Sequence, residues 1–234
     1  MDILAVQTAL HKNGINPGDI DGIWGRRTVA AVKLFQKLRG LEVDGIIGPL
    51  TSQALFGTIP STTGQPETNA GPIVWYQEAV DLIGTREFPG RPSNEDIIEW
   101  AVNLNIDYKS DDIPWCGLFA AHCIGATLPD ESLPKHPLLA QNWAKFGDYC
   151  TPRKGSILVF WRGHATSKLG HVGFYKSEDD TAYHVLGGNT NNAVSIARIE
   201  KKRLITSRWP RTAKSINGDV VHHSSDEPLS HNEA

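Results

Sequence analysis

Asp111-Asp112-Ile113-Pro114-Trp115-Cys116-Gly117-Leu118-Phe119-Ala120-Ala121 is the stretch around which this chain is organised. An acidic loop meets a proline and a tryptophan, and a cysteine then opens an apolar run with helical character. Proline is excluded from a helix interior but suits its first turn, where a missing N–H costs nothing. Cys116 therefore falls at a helix start. Unpaired backbone N–H groups and the positive end of the helix dipole favour a thiolate there, as a thiol nucleophile requires. A small packed cysteine is the plainer reading of the residue alone, so the question becomes whether a base stands near it.

The limits set by the whole chain are simple. Its 234 residues suffice for one domain of ordinary size and a smaller one. With 40% apolar and 21% charged residues, the composition is that of a soluble globular protein. A net charge of −3 gives no general electrostatic reason to bind nucleic acid. No apolar run approaches the length of a membrane span, so no membrane insertion is expected. Met1-Asp2-Ile3-Leu4 lacks the basic segment and apolar core of a signal peptide. The three cysteines, Cys116, Cys123 and Cys150, are too few and too odd in number for a disulfide framework and read as thiols.

Working outward, residues 1–56 contain an internal repeat. Asp21-Gly22-Ile23-Trp24-Gly25 precedes Thr28 and Ala31-Val32, and Asp44-Gly45-Ile46-Ile47-Gly48 precedes Thr51 and Ala54-Leu55. Each half is a glycine-punctuated turn entering a helix, and Ile3, Val6 and Leu10 mark a further amphipathic helix before them. This pattern resembles the peptidoglycan-binding domain appended to many cell-wall hydrolases. The resemblance implies a three-helix, non-catalytic module in which Asp21, Trp24 and Asp44 are candidate wall-binding residues, or else anchors of the turns. Residues 57–72, rich in Pro, Gly, Ser and Thr, read as a linker, and residues 212–234 as a frayed, flexible tail.

Between them the period changes once. Residues 73–83, 94–104, 116–124 and 138–146 have helical spacing, and Ser93 or Asn94 caps the second of these. From Ser156 onward, residues 156–161, 170–175, 182–186 and 193–198 read as strands of an antiparallel meander. Helices followed by such a meander make an α+β domain over residues 73–211. If the hairpin turns near Asp180, residue numbers of paired positions sum to about 360, and His171 faces Asn189. A strand histidine oriented by an amide has the arrangement of a general base. The chain order Cys116, His171, Asn189 thus supplies nucleophile, base and orienting group.

Asp-Asp-Ile-Pro-Trp-Cys, Lys-Gly-Ser-Ile-Leu-Val-Phe, Gly-His-Val-Gly-Phe-Tyr and Leu-Gly-Gly-Asn together resemble the NlpC/P60 and CHAP group of papain-like cysteine hydrolases. The resemblance implies a papain-like α+β fold with Cys116, His171 and Asn189 catalytic, and Trp115 is a further candidate for substrate contact. Two departures stand out. Gly187 occupies a position that is acidic in many CHAP enzymes, and Lys109 and Leu118 break the acidic pattern of calcium-dependent members, so no metal or cofactor is expected. His122 lies six residues beyond Cys116 and points away from it, while His164 sits in a loop. Cys123, Cys150, Trp143 and Trp161 read as packing residues, and the basic run from Arg198 to Arg211 as a solvated face.

The expectation is a monomeric, two-domain peptidoglycan hydrolase that cuts an amide within the stem peptide or between peptide and sugar. It would be made in the cytoplasm without a signal peptide and act in the periplasm or wall of a target or host bacterium. A phage endolysin released by a holin and an injected antibacterial effector held by an immunity protein share this chemistry. A non-catalytic wall-binding protein is the alternative of a different class, and a thiol acyltransferase is a third.

Overall fold

The structure is a computed structural model that describes residues 2–57, 73–88, 92–213, 218–223, 228–230 and 233. The expected linker lies, apart from Gly57, outside the described residues. Three helices, α1 (Ile3–Lys12), α2 (Arg26–Leu38) and α3 (Pro49–Phe56), form the N-terminal unit. Val6, Leu10, Trp24, Val29, Val32 and Phe35 make its core. Asp2 caps α1 by accepting from the Ala5 N–H at 3.1 Å.

The sequence repeat reappears as a repeated hydrogen-bond clamp. Gln7, 1% exposed, donates through Nε2 to Asp21 Oδ1 at 2.9 Å and to the Ile23 carbonyl at 3.0 Å, while its Oε1 accepts from the Gly22 N–H at 2.7 Å. Gln36, also 1% exposed, does the same one repeat later, to Asp44 Oδ1 at 2.6 Å, the Ile46 carbonyl at 2.9 Å and from the Gly45 N–H at 2.8 Å. Thr28 and Thr51 accept from the same two amides at 3.2 and 3.1 Å. A buried amide survives only when its donors and acceptor are matched, and here both are.

The α+β unit opens with α4 (Val74–Asp81), α5 (Glu95–Asn103) and α6 (Cys116–Thr127). Asn94 caps α5, accepting from the Asp96 N–H at 2.9 Å. The stretch expected as a fourth helix is a 3-10 helix, Ala140–Lys145. Six strands follow: β1 (Asp148–Tyr149), β2 (Ile157–Trp161), β3 (Gly170–Glu178), β4 (Ala182–Thr190), β5 (Ala193–Glu200) and β6 (Leu204–Trp209). They form one antiparallel sheet in the order β1-β6-β2-β3-β4-β5. The meander read from the sequence is therefore β2 to β5, and β6 returns to cover the outer edge of β2. Phe174↔Leu186 and Tyr175↔Val185 keep the expected register, and an irregularity between Tyr175 and Ser177 then shifts it by one.

Alternation along the strands divides the sheet into two faces. Val159, Val172, Phe174, Leu186 and Val194 join the core shared with α4 and α6. Leu158, Phe160, Tyr175, Val185 and Ala197 cluster on the opposite face. The basic run is not a free solvated face. Arg208 donates to the carbonyls of Phe146 and Gly147, Arg198 to Asp179, and Arg203 is only 5% exposed. In the segment expected to fray, His222 bridges to Glu178 and the Ser230 N–H donates to the Arg198 carbonyl at 2.8 Å.

Candidate functional site

Cys116 is the first residue of α6, with Trp115 as the N-cap. Pro114 precedes it, and α6 is buried along almost its whole length, Cys116 included. The N–H groups of Val172, Gly117 and Cys116 itself point at Sγ. These donors and the nearby charge of Arg162 favour the thiolate, but burial outweighs them and pushes the thiol pKa up. The low pKa expected of a helix start is thus reversed by desolvation.

His171 is fully buried on β3 and stands opposite Phe160 of β2. Its Nδ1 lies 3.2 Å from the Glu233 carbonyl oxygen. A carbonyl only accepts, so Nδ1 carries the proton and the neutral ring keeps a lone pair on Nε2. Among the described residues that Nε2 has no hydrogen-bond partner. Burial lowers the His171 pKa to about 4, and the charges of Arg203 and Arg162 lower it too, against the opposing pull of Glu233. At neutral pH the ring is uncharged.

Strand alternation puts the His171 ring on the Phe160 face of the sheet. The glycines of β4 separate the two sides. A side chain at Gly187 would begin 2.6 Å from His171 Nε2, whereas one at Gly188 would meet Phe119 Cβ at 2.5 Å and the Trp115 ring at 2.7 Å. The Gly-Gly pair therefore lets β4 lie against the imidazole on one face and against the start of α6 on the other. The thiol sits at the amide of Val172, the residue following His171, and no hydrogen bond joins Sγ to the imidazole among the described residues.

Asn189 is 4% exposed with a positive φ of 57°, and its Oδ1 is buried with no partner. Its amide is not bonded to His171, whose Nδ1 is taken by Glu233 instead. Trp115 is fully buried and donates from Nε1 to Glu87 at 2.9 Å. Trp24 is 1% exposed within the N-terminal core, and Asp21 and Asp44 each accept from the N–H two residues on, which anchors the turns. His122 stacks on Trp100 and lies 3.1 Å from Glu78, away from the thiol. His164 is exposed and contacts Thr166. No group of three or more potential metal ligands occurs among the described residues.

Three residues of this site escaped the sequence reading. Arg162, Arg203 and Glu233 all lie in the electrostatic environment of His171. A signal existed for Arg203 alone, as the middle of a basic run interrupted by Leu204 and Ile205, where alternation begins.

Comparison with known proteins defines the class of the N-terminal unit. Residues 2–55 match the family described as "Putative peptidoglycan binding domain", so this unit is a peptidoglycan-binding module. Over that region the chain is 46% identical to a spore cortex-lytic enzyme of Bacillus subtilis across 56 residues, which is 24% of this chain and 18% of that enzyme. A spore cortex-lytic enzyme of Bacillus cereus is 41% identical across 54 residues, covering 23% of this chain and 21% of its own. An uncharacterised protein of Kitasatospora aureofaciens is 46% identical across 64 residues, 25% of this chain and 54% of that protein. The chain thus spans about a fifth of the lytic enzymes and about half of the third protein. No solved structure matches the chain. Among the described residues no helix is long and apolar enough to cross a membrane.

Proposed function

We propose that this protein is a cysteine peptidoglycan hydrolase, a wall-binding module coupled to a papain-like domain of the NlpC/P60 and CHAP kind. The observation that carries the reading is the position of Cys116. It opens a buried helix with three N–H groups on its sulfur, beside the residue that follows a neutral histidine with an unclaimed Nε2. The lytic enzymes that share the module act on a wall polymer by name, which supports a wall substrate.

In this reading the resting pair is thiol and neutral imidazole, because burial raises the one pKa and lowers the other. Attack is then a general-base step. With the resting imidazole on the Phe160 face of the sheet and the thiol on the α6 face, the step requires the ring to turn toward Sγ; as Sγ bonds to the amide carbon, His171 then takes the thiol proton, and the N–H groups at the start of α6 stabilise the oxyanion. The imidazolium protonates the leaving amine, the C–N bond breaks, and water hydrolyses the thioester with His171 again as base. On this reading Asn189, two residues beyond Gly187, orients the ring once Nδ1 is released from the Glu233 carbonyl. The site of action is the periplasm or wall, in an endolysin or an injected effector.

Mass spectrometry of fragments released from purified sacculi tests this. The wild type should create new amino and carboxyl ends, and Cys116→Ala should create none. Equal release by both variants removes Cys116 from the mechanism. A second reading, a wall-binding protein without hydrolytic activity, is favoured by the absent Cys116–His171 hydrogen bond and the raised thiol pKa. It predicts binding to sacculi with no release by either variant.

A further inference from the structure

The N-terminal unit matches a peptidoglycan-binding family, yet the residues that its sequence offered for contact are engaged in the fold. Trp24 is buried in the core, and Asp21 and Asp44 hold the turns gripped by the two glutamine clamps. The repeat points elsewhere. What both halves share serves the fold, and what one half has alone is free for another purpose. Asp21 corresponds to Asp44 and Thr28 to Thr51, so Arg27 in the first turn of α2 corresponds to exposed Leu50. A cation there opposes the helix dipole, and among the described residues no hydrogen bond or ion pair engages the Arg27 guanidinium. Its stem is held all the same. A side chain at Gly18, whose φ is +88°, would begin 2.8 Å from Arg27 Cδ, so the glycine lets the arginine lie across the α1–α2 connection.

Beside it lies a groove of about 330 Å³, lined by Ile15, Asn16 and Gly18 of that connection and by Arg27, Ala30 and Leu34 on one face of α2. Asn16 Oδ1 accepts from the Gly18 N–H at 2.9 Å, which fixes the amide and leaves its Nδ2 to donate elsewhere. No acidic side chain and no aromatic ring is among the lining residues, so the groove carries a single positive charge over an aliphatic floor. A sugar ring has no aromatic face to lie on there, whereas a small peptide with a carboxylate finds a fork of donors and room for methyl groups. We infer that this groove is the wall-binding site of the module and that it takes the carboxylate-bearing, alanine-containing stem peptide of peptidoglycan. The carboxylate sits on the Arg27 guanidinium, a peptide carbonyl on Asn16 Nδ2, and alanine methyls over Ile15, Ala30 and Leu34. The inference rests on the module's family and is independent of hydrolysis at Cys116.

The test uses the full chain carrying Cys116→Ala as parent, so that bound wall is not consumed, with sacculus pull-down and NMR titration by the soluble stem tetrapeptide L-Ala-γ-D-Glu-L-Lys-D-Ala. Arg27→Gln removes the cation, and Ala30→Glu sets a carboxylate beside it; both positions are exposed, so neither change touches the core. Each weakens tetrapeptide binding and sacculus retention by about tenfold or more, the worth of a charge-assisted contact. Leu50→Gln, at the matching point of the second repeat, binds as the parent does. A tetrapeptide with both carboxyls amidated binds the parent no better than the free peptide binds Arg27→Gln. Unchanged binding in Arg27→Gln and Ala30→Glu overturns the groove while the module's wall affinity stands. Equal binding of free and amidated peptide, or no peptide binding by a parent that holds sacculi, overturns the stem-peptide assignment. A parent that fails to hold sacculi at all overturns the module's wall affinity and the groove with it.

Discussion

At the scale of single residues, His171 couples the site to solution pH. Its folded pKa of about 4 lies below the ordinary value of 6.5, so between these limits the unfolded chain binds the extra proton. Stability from this group is complete above about pH 6.5 and is lost as pH falls toward 4, a contribution on the order of 3 kcal/mol. Urea unfolding across that range should show the wild type weakening with acid and His171→Gln responding less. An equal slope in both would mean that another group carries the titration. Cys116 shows the same physics with opposite sign, since burial of a thiol disfavours its anion. For both groups, desolvation exceeds what the opposing backbone hydrogen bonds and charges supply, N–H donors and Arg162 at Cys116, the Glu233 carbonyl and carboxylate at His171.

At the scale of elements, the two glutamine clamps make the N-terminal unit a pair of equivalent turns held from within. Gln36→Ala leaves the Gly45 N–H and the turn acceptors without their partner, a loss of about 2 kcal/mol or more. Thermal unfolding should show the unit melting earlier, and Gln7→Ala should do the same through Gly22. The turns themselves were legible from their Asp-Gly repeats, and the clamps were not. Glutamine reads as a surface residue until its partners are known, and those partners lie 8 to 21 residues away in the chain. The strands β2 to β5 announced themselves by β-branched and aromatic runs between turns. β6 was hidden because Arg203 and Arg208 lend Leu204–Trp209 the look of a solvated basic face, although both arginines end on buried carbonyls or carboxylates. The place of Cys116 at a helix start could be read from Pro114 and the apolar run beyond it. Glu233 could not, since nothing local tells an acidic residue that its cation lies thirty positions back.

At the scale of the whole molecule, the proposed function has the peptidoglycan-binding module hold the second unit on an insoluble polymer. Tethering raises the local concentration of substrate without altering the bond-breaking step. Removing residues 2–57 should therefore lower sacculus solubilisation at low protein concentration by about tenfold or more. Turbidity of a sacculus suspension reads the loss, and pull-down with sacculi shows whether binding has gone with it. Retained solubilisation at limiting concentration would place the wall affinity in the α+β unit itself.

The order of strands in the sheet carries a consequence for how the protein is made. β6 lies between β1 and β2, so the strand that pairs with both is the last of the six to leave the ribosome. Until residues 204–209 emerge, β2 has an open edge and β1 has no partner at all. Such long-range pairing slows folding and keeps the unfinished unit exposed. The helix that bears Cys116 is synthesised well before the sheet that fixes His171 is closed. On the proposed function, a ribosome-bound nascent chain carries its thiol before its base is fixed, and vectorial synthesis separates the making of the chain from hydrolysis.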